Sequence, residues 1–299
     1  MPRLKLLCHK AVISALLMLL TAGTWAEETD SVLDWALWPI PGAVNLVDGQ
    51  PRDGIAMEAL DLLMARLPEL QPRYRLANRP RQQYDMEQGL AFCSMPLLRR
   101  ADSDQIGYFI PFMASTPIQA VIRQDDRERF PLENGSLSLS RLLADTDLRG
   151  GVSGFRTYPT ELAAWFSEAQ TAGRLESVTG ALSGENLLLM VSHGRLDFTF
   201  EFATVTRAIT RRLAVQAPLL SLPIQEHREL VETGIYCTRS DWGRAMAARL
   251  DLAVRQIAAE PGVLLALYER WVPEETYQAF ADELRAYYLQ RAGQPTALP

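Results

Sequence analysis

The sequence predicts an α/β protein in which mostly parallel strands are covered by helices. Apolar runs of strand length alternate with amphipathic runs of helix length along the 299 residues, and this alternation is typical of parallel sheets. Neither an internal repeat nor a low-complexity segment interrupts it, which argues against a solenoid. After the N-terminal segment described next, roughly 270 residues remain, enough for one large domain or two smaller ones.

The first 26 residues are predicted to be a secretory signal peptide. Three basic residues among the first ten precede the apolar run AVISALLMLLTAG, and Thr24 and Ala26 occupy the small-residue positions of a cleavage site. The apolar run is about 13 residues long, shorter than a membrane span, so an uncleaved anchor helix is the less favoured alternative. We therefore expect a mature chain that begins at Glu27 and resides in the periplasm.

Charge argues against nucleic acids and anionic membranes as partners. The chain has 30 basic and 36 acidic residues. Removing the signal peptide takes away three basic residues and no acidic residue, which changes the net charge from −6 to −9. The remaining Lys and Arg residues are scattered, whereas both kinds of partner require a basic stripe.

Two cysteines, Cys93 and Cys237, remain after removal of the signal peptide. An even number in an oxidising compartment favours a disulfide over two separate buried thiols. By the loop-entropy model, a bridge between such distant segments could contribute at most about 5 kcal/mol to the free energy of unfolding.

Elements in the first half alternate between strand and helix. The apolar stretch VLDWALW, residues 32–38, ends at Pro39, as a strand entering a loop does. The turn-forming stretch DGQPRDG precedes residues 55–67, whose apolar side chains recur at helical spacing until Pro68. RYRLAN favours a strand, RQQYDMEQG a short helix that ends at Gly89, and IQAVIRQ another strand.

The second half continues the same alternation. LSLSRLLADTDLRG predicts a short helix and GGVSGF the end of a strand. TYPTELAAWFSEAQTAG predicts a helix with Thr157 as N-cap and Gly173 as its stop. ENLLLMVSHG is a further helix and GIYCTRS a further strand, and three helices follow over residues 242–262, 263–272 and 275–290. The final stretch RAGQPTALP is expected to be frayed.

The stretch SHGRLDFTFEF, residues 192–202, predicts a strand with an aromatic face and an acidic face. Such a strand could lie on the surface with its acids in water, or it could end in a binding cleft. Parallel strands are buried on both faces, and ligands bind beyond their carboxyl ends, which favours a position for Glu201 at a cleft. Asp197 could cap a neighbouring element or pair with Arg195.

Sequence motifs for metal, nucleophilic and phosphate chemistry are missing. There is no H-E-x-x-H, C-x-x-C, calcium loop, G-x-S-x-G elbow or Walker A loop. GGVSG lacks the spacing of a dinucleotide loop. His193 and His227 lie outside any metal-spaced cluster, and His193 is predicted to be a helix C-terminal residue favoured by the dipole. We therefore expect neither a cofactor nor a metal.

Several polar and aromatic residues are candidates for ligand binding. Arg99 and Arg100 are adjacent, and an arginine at a cleft would hold an anionic group bidentately, although a solvated pair explains them equally well. Thr157 and Tyr158 lie at a helix start, where free N–H groups form a second anion site. Trp38 follows the first strand and could stack on a ligand or belong to the core.

In their order along the chain, these stretches resemble the type 3 family of bacterial extracellular solute-binding proteins, which includes the polar amino-acid binding proteins. The resemblance rests on WPIPG, DGQPRDGIAMEALDLLMARLP, YFIPF, GGVSGFRTYPTEL, GRLD, GIYCTRSDWGRAMAARLDLAVRQI and YERWV. LPELQPRYRLANRPRQQYDMEQGLAFC and CTRSDWG are similar to an uncharacterised proteobacterial branch of that family.

The resemblance implies a two-lobed fold with two crossover strands and a hinge that closes on a ligand. Residues 27–119 and 233–299 would form lobe 1, and residues 120–232 would form lobe 2. In the family, a lobe 1 arginine holds the ligand's carboxylate, a helix start in lobe 2 adds N–H donors, and a lobe 2 carboxylate holds the ammonium group. Arg100 or Arg99, Thr157 and Glu201 would take these parts.

The family pattern is not matched at every position. Phe109 replaces a serine, the candidate Arg100 stands two residues too far from Pro111, and Glu201 precedes by one residue the position of the family's acid. These differences argue against an ordinary α-amino acid as the ligand.

Two functions fit the resemblance. The first is a monomeric periplasmic protein that delivers a small polar solute to an inner-membrane ABC permease or a sensor. The alternative is an enzyme on the same scaffold, because cyclohexadienyl dehydratases resemble this family and need an acid in the cleft, a part that Glu201 could take.

Overall fold

The computed structural model describes residues 32–144, 147–154, 156, 158–180 and 183–298, so the predicted signal peptide lies outside the described residues. The strands are β1 (Val32–Leu37), β2 (Asn45–Val47), β3 (Gln50–Asp53), β4 (Gln71–Leu76), β5 (Cys93–Leu98), β6 (Gly107–Ser115), β7 (Gln119–Arg123), β8 (Leu132–Glu133), β9 (Ser136–Leu137), β10 (Gly150–Ser153), β11 (Leu175–Val178), β12 (Phe198–Glu201), β13 (Leu219–Leu222) and β14 (Val231–Thr238). The helices are α1 (Ile55–Met64), α2 (Arg79–Glu87), α3 (Ser103–Ile106), α4 (Leu139–Ala144), α5 (Thr160–Thr171), α6 (Ser183–Ser192), α7 (Ala203–Arg212), α8 (Asp241–Ala258), α9 (Pro261–Trp271) and α10 (Glu274–Gly293).

The elements form two units, each built on a five-stranded sheet. Unit 1 contains the sheet β4-β1-β5-β14-β6 with helices α1–α3 and α8–α10. Unit 2 contains the sheet β11-β10-β12-β7-β13 with helices α4–α7. The predicted α/β class with two helix-covered sheets is thereby confirmed.

The chain crosses twice between the units. It passes from β6 to β7 through residues 116–118 and returns from β13 to β14 through residues 223–230. In each sheet the strand that follows a crossing, β7 or β14, is antiparallel to both of its neighbours, and the other strands run in one direction. Both sheets are therefore mixed, with four strands parallel in direction and one opposed.

Local sequence signals explain where helices α1, α2 and α8 begin. Ser240 caps α8, since its hydroxyl accepts the N–H of Gly243 at 3.0 Å, and Asn78 caps α2 in the same way through Arg81 N–H at 3.1 Å. Gly54 precedes α1 with φ +124°, and a Cβ there would lie 2.3 Å from the carbonyl oxygen of Ala43. Only glycine allows this close approach.

The strand β12 decides between the two interpretations of SHGRLDFTFEF. All four of its residues are buried. Phe198 and Phe200 pack into the core of unit 2, where the Phe200 and Phe166 rings lie 4.4 Å apart between centroids. The strand is thus covered on both faces, and the surface-strand alternative is wrong.

Several expectations for individual segments differ from the structure. The turn cluster before α1 contains the hairpin β2–β3, because Asp48 and Gly49 adopt positive φ at its tip. Helix α5 begins at Thr160 with Pro159 at the N-cap position, and the predicted cap Thr157 lies outside the described residues. Helix α7 was not predicted.

The C-terminal stretch is packed rather than frayed. Helix α10 continues to Gly293. Beyond it, the Thr296 hydroxyl donates to Asp251 of α8 at 2.6 Å, and Arg244 donates to the carbonyl of Leu298 at 2.7 Å. Hydrogen bonds to side chains of α8 therefore hold a segment that its composition predicts to be loose.

Membrane-spanning helices are not found among the described residues, since none of those helices is both long and apolar enough to cross a bilayer.

Candidate ligand-binding site

In each sheet, the ends of the strands that lie beside the two crossings face the other unit. Leu98, at the end of β5, pairs with Thr233 of β14, shortly after the second crossing. Glu201, at the end of β12, pairs with Gln119 of β7, directly after the first crossing. The carboxyl ends of β5 and β12 therefore face the cleft between the units, which is where such sheets bind ligands.

The loop after β1 and the start of α7 bring the two units into contact. Ile40 of this loop packs against the apolar cluster that contains Val121 and Leu188 of unit 2. A Cβ on Gly42 would lie 2.6 Å from the carbonyl oxygen of Thr204. Since this distance leaves no room for a side chain, the cleft is closed at this point.

The closed cleft retains a small cavity of about 40 Å³. It is lined by Ala43 and Ile55 of unit 1, Thr204 of unit 2, Ser115 at the end of β6 and the crossing residue Thr116, among others. A water molecule occupies about 10–15 Å³ on this measure, so the cavity holds about three waters. An amino acid is larger, and its entry requires the units to move apart.

A larger groove of about 230 Å³ lies on the outside of unit 1. It is lined by Tyr287, Arg291 and Thr296, among others. Arg291 already binds Asp251 and the carbonyl of Pro111, and Thr296 binds Asp251. Because these polar groups are satisfied by the protein, we place the candidate site in the cleft despite the greater volume of the groove.

Glu201 is buried and paired with Arg156 of the same unit. The residue is 1% exposed. Its Oε2 accepts Nη2 of Arg156 at 2.6 Å, and its Oε1 accepts the N–H of Phe202 at 2.7 Å. The Arg156 guanidinium also lies 5.5 Å from the centroid of the Phe202 ring. Both carboxylate oxygens thus have partners within unit 2.

The surroundings of Glu201 are tightly packed. A Cβ on Gly184, in the first turn of α6, would lie 3.1 Å from Oε2. Burial raises the pKa of the Glu201 carboxyl above its usual range, and the Arg156 guanidinium and the Phe202 N–H oppose this rise. The sequence led us to expect a carboxylate open to a ligand, whereas this carboxylate is already engaged.

Gln119, opposite Glu201 on β7, links the two units. Residues directly opposite in an antiparallel pair share one face of the sheet. The Gln119 side chain is buried, and its Oε1 accepts the hydroxyl of Thr276, at the start of α10, at 3.0 Å. The first crossing is therefore tied to unit 1 beside the Glu201 site.

Asp197 is a structural anion and not part of the cleft. Its Oδ2 accepts the backbone N–H of Arg149 at 2.9 Å, and its Oδ1 accepts Arg123 at 3.1 Å and Arg129 at 3.2 Å. Burial opposes ionisation, but these donors hold the pKa of the carboxyl below its usual value. The suggested pairing with Arg195 is wrong, since these three arginines are the partners.

Arg99 and Arg100 follow β5 and differ in their surroundings. Arg99 pairs with Asp104 at 3.0 Å and lies over the Phe109 ring. The hydroxyl of Tyr236 accepts the Arg100 N–H at 3.1 Å and donates to Asp104 at 2.6 Å. The backbone at Arg100 is therefore fixed, and Arg99 already has an internal partner.

The Arg100 side chain is half-buried. No carboxylate in the described part of the chain lies within 4 Å of its guanidinium. Burial, together with the neighbouring Arg79, lowers the pKa of Arg100. Of the two arginines, Arg100 is therefore the one with its charge available to a ligand.

The other predicted site residues, Trp38 and Tyr158, differ in their exposure and in their contacts. Trp38 is exposed in the loop after β1, so it is not a core residue. The Tyr158 hydroxyl accepts the N–H of Ser153 at 3.0 Å, and its ring packs edge-on against Phe166. Burial raises the pKa of Tyr158 to about 12. The Tyr158 hydroxyl thus binds the end of β10, the strand that precedes its own loop. Thr157, for which we predicted a role in ligand binding, lies outside the described residues.

The disulfide between Cys93 and Cys237 is confirmed. The two residues are directly opposite on β5 and β14, with Cα atoms 4.1 Å apart. The bridge therefore joins the central strands of unit 1 across 144 residues of sequence.

Arg156 is the site residue that sequence reasoning missed. It lies in GFRTYPTEL, a stretch that predicts an anion site formed by backbone N–H groups and not by this side chain. The only signal available was one basic residue at a helix start, where the dipole favours anions and disfavours cations. A compensating acid was therefore to be expected, and Glu201, 45 residues away, provides it.

Comparisons with known proteins give matches of fold and not of sequence. No protein-family model matches the chain, and no curated protein matches it either. Among solved structures, it is similar to a probable amino-acid ABC transporter extracellular-binding protein from Bacillus subtilis, with 12% identity, 81% of this chain and 99% of that chain covered, and a TM-score of 0.60.

Two further structures show the same fold. A putative L-cystine ABC transporter protein from Listeria monocytogenes has 14% identity, covers 82% of this chain and 97% of that chain, and has a TM-score of 0.55. A histidine kinase sensor domain with similarity to periplasmic binding proteins has 13% identity, 81% and 95% coverage, and a TM-score of 0.55. The chain therefore has the two-lobed fold of periplasmic binding proteins.

Proposed function

We propose that this chain is a periplasmic solute-binding protein of the type 3 family that captures a small polar solute between units 1 and 2. It acts as a non-catalytic monomer and presents the solute to an inner-membrane ABC permease or to a sensor. The similarity of its fold to ABC transporter proteins and to a histidine kinase sensor domain supports this proposal. Kinship with a proteobacterial branch of the family is part of the same proposal.

The observation that carries the proposal is the double crossing between two sheets whose carboxyl ends face one cleft. Two short connections permit rotation of one unit against the other, as in hinge closure. Arg100 of unit 1 and Arg156 of unit 2 follow strands that end at this cleft. A solute between the units can therefore contact charged groups of both.

We propose that units 1 and 2 are the lobes expected from the sequence. The predicted boundaries at 119/120 and 232/233 lie close to the crossings. Gln119 belongs to β7 of unit 2, and Glu232 belongs to β14 of unit 1. The hinge would then comprise residues 116–118 and 223–230.

A dehydratase on the same scaffold is less well supported. Its acid would have to be Glu201, and a catalytic acid needs contact with the reacting group. The Glu201 carboxylate instead binds Arg156 and the Phe202 N–H. The proposal therefore assigns Glu201 a role within the protein.

A thermal-shift screen of small polar solutes tests the proposed function. A binding protein shows a saturable rise in melting temperature with one or a few solutes and leaves each solute unchanged. Prephenate and arogenate belong in the screen, with product analysis by chromatography. Turnover of either compound would contradict the proposal in favour of the enzyme.

Arg100→Ala tests the role of unit 1 in binding. Losing a charge-assisted contact costs about 1.5–3 kcal/mol, so the dissociation constant for the solute found in the screen should rise roughly ten- to a hundredfold. Arg99→Ala is the matched control, because Arg99 is already paired with Asp104. Equal effects of the two substitutions in calorimetric titration would refute the assignment of Arg100.

A further inference from the structure

We infer that the solute is a small organic anion without an ammonium group, such as a 2-oxo acid or a dicarboxylate. This inference rests on the proposed function and names the ligand class of the same cleft. It follows from the partners of each charged side chain at the carboxyl ends of β5 and β12.

The acid in unit 2 has no capacity left for an ammonium group. Glu201 Oε2 accepts a hydrogen bond from Arg156 at 2.6 Å, and Oε1 accepts one from the Phe202 N–H at 2.7 Å. The residue is 1% exposed, and the first turn of α6 packs against Oε2. A ligand ammonium could reach this carboxylate only by displacing Arg156, which would leave a buried cation without its partner.

The acids of unit 1 near the cleft are also engaged. The Asp104 carboxylate accepts a hydrogen bond from the Tyr236 hydroxyl and forms an ion pair with Arg99. Asp102 forms an ion pair with Arg79 at 3.2 Å. These carboxylates stabilise the turn after β5. Neither carboxylate forms an ion pair with Arg100, and each already has an arginine partner within unit 1.

Arg156 retains hydrogen-bond donors. A guanidinium has five N–H groups, and within the described residues that of Arg156 donates only to Glu201. The side chain is 24% exposed, which leaves part of it accessible to solvent. Its remaining N–H groups have the planar geometry that binds a carboxylate at two points.

The charges then add up to an anion site. Arg156 and Glu201 neutralise each other, and Arg100 adds one positive charge across the cleft. A zwitterionic amino acid can make the same carboxylate contacts with the two arginines, but its ammonium group loses its hydration without gaining a partner. An anion with the same carbon skeleton makes these contacts without that cost.

Calorimetric titration with matched pairs tests this inference. The pairs are 2-oxoglutarate and glutamate, pyruvate and alanine, and succinate and aspartate, in which the members share a carbon skeleton and differ in the ammonium group. For the pair that the cleft accommodates, we expect the anion to bind at least tenfold more tightly. Any solute from the thermal-shift screen is classified in the same way, by the presence or absence of an ammonium group.

Two substitutions separate the roles of the buried pair. Glu201→Gln keeps the side-chain volume and removes the negative charge, so the anion should bind at least as tightly as to the parent. Arg156→Gln should weaken anion binding roughly ten- to a hundredfold. A melting curve of each variant shows whether it is folded. If Arg156→Gln does not fold, the anion affinity of Glu201→Gln still tests the inference.

The outcomes distinguish this inference from the proposed function. Tighter binding of an amino acid, and its loss in Glu201→Gln, would overturn the anion assignment and leave the solute-binding function intact. Binding of no solute in the pairs or in the screen would overturn both. Anion preference that persists in Glu201→Gln supports the assignment.

Discussion

The Asp197 cluster offers a test of the physical reasoning that does not depend on the ligand. Asp197→Asn keeps the shape of the side chain, removes its charge and turns one acceptor into a donor. That donor would then face either Arg123 and Arg129, which bind Oδ1, or Arg149, which binds Oδ2. We therefore expect a loss of stability without a change in solute affinity.

The magnitude follows from the exposure of the three arginines. Their side chains are 15%, 46% and 62% exposed for Arg123, Arg129 and Arg149. Breaking a buried pair costs about 3–5 kcal/mol, whereas exposed pairs contribute about 0–1 kcal/mol each. Only the pair with Arg123 counts as buried, so we expect a loss of about 3 kcal/mol in the free energy of unfolding, or roughly 6–12 °C in melting temperature.

The stability that the Asp197 charge contributes should depend on pH in a defined direction. The pKa of Asp197 lies below the ordinary value of 3.8, so its charge contributes stability above that value and loses this contribution as the pH falls through the lowered pKa. The difference in melting temperature between the parent and Asp197→Asn should therefore be full at pH 7 and shrink between pH 5 and pH 3.

Differential scanning calorimetry at these pH values provides the assay. Asp125→Asn is the matched control, because Asp125 is exposed on the 3₁₀ helix Gln124–Arg129 that follows β7 and forms no ion pair with a described residue. It should melt within about 1–2 °C of the parent, since surface substitutions usually change stability by less than 0.5 kcal/mol. A variant Asp197→Asn that melts like this control at pH 7 would refute the reasoning.

Three further predictions address the covalent state and the chain's end. Cys93 and Cys237 should both resist alkylation under denaturing, non-reducing conditions, and labelling of both would contradict the disulfide. The exported protein should begin at Glu27, so an intact mass that includes earlier residues would disprove the cleavage site. Thr296→Val should lower the free energy of unfolding by about 1–2 kcal/mol, because its hydroxyl binds the buried carboxylate of Asp251 at 2.6 Å. An unchanged melting curve would mean that the tail is frayed, as its composition suggests.

Local patterns predicted the elements that rely on local physics. The helical spacing in α1 and the alternation in β12 were visible in the sequence, because each reflects one apolar face along a few turns or residues. Helix α7 was missed since ATVTRAITRR is rich in β-branched residues, which favour strands. Its helix is stabilised by packing of Val205 and Ile209 against Val121 and Leu188, which lie far away in the sequence.

The pairing of charges at the site could not be predicted, because it depends on which loops the fold brings together. Arg156 and Glu201 are 45 residues apart, and Arg123 and Asp197 are 74 apart. No spacing rule connects such positions. The sequence analysis assigned Glu201 to the ligand, whereas the fold pairs it with Arg156.

Hydrogen–deuterium exchange with and without the solute found in the screen tests the central claim, that both units hold the solute in the cleft. The account predicts slower exchange in two segments that are remote in sequence, one around Arg100 in unit 1 and one from Arg156 to Thr160 in unit 2. Slower exchange confined to the outer groove around Tyr287 and Thr296, or to one unit alone, would contradict it.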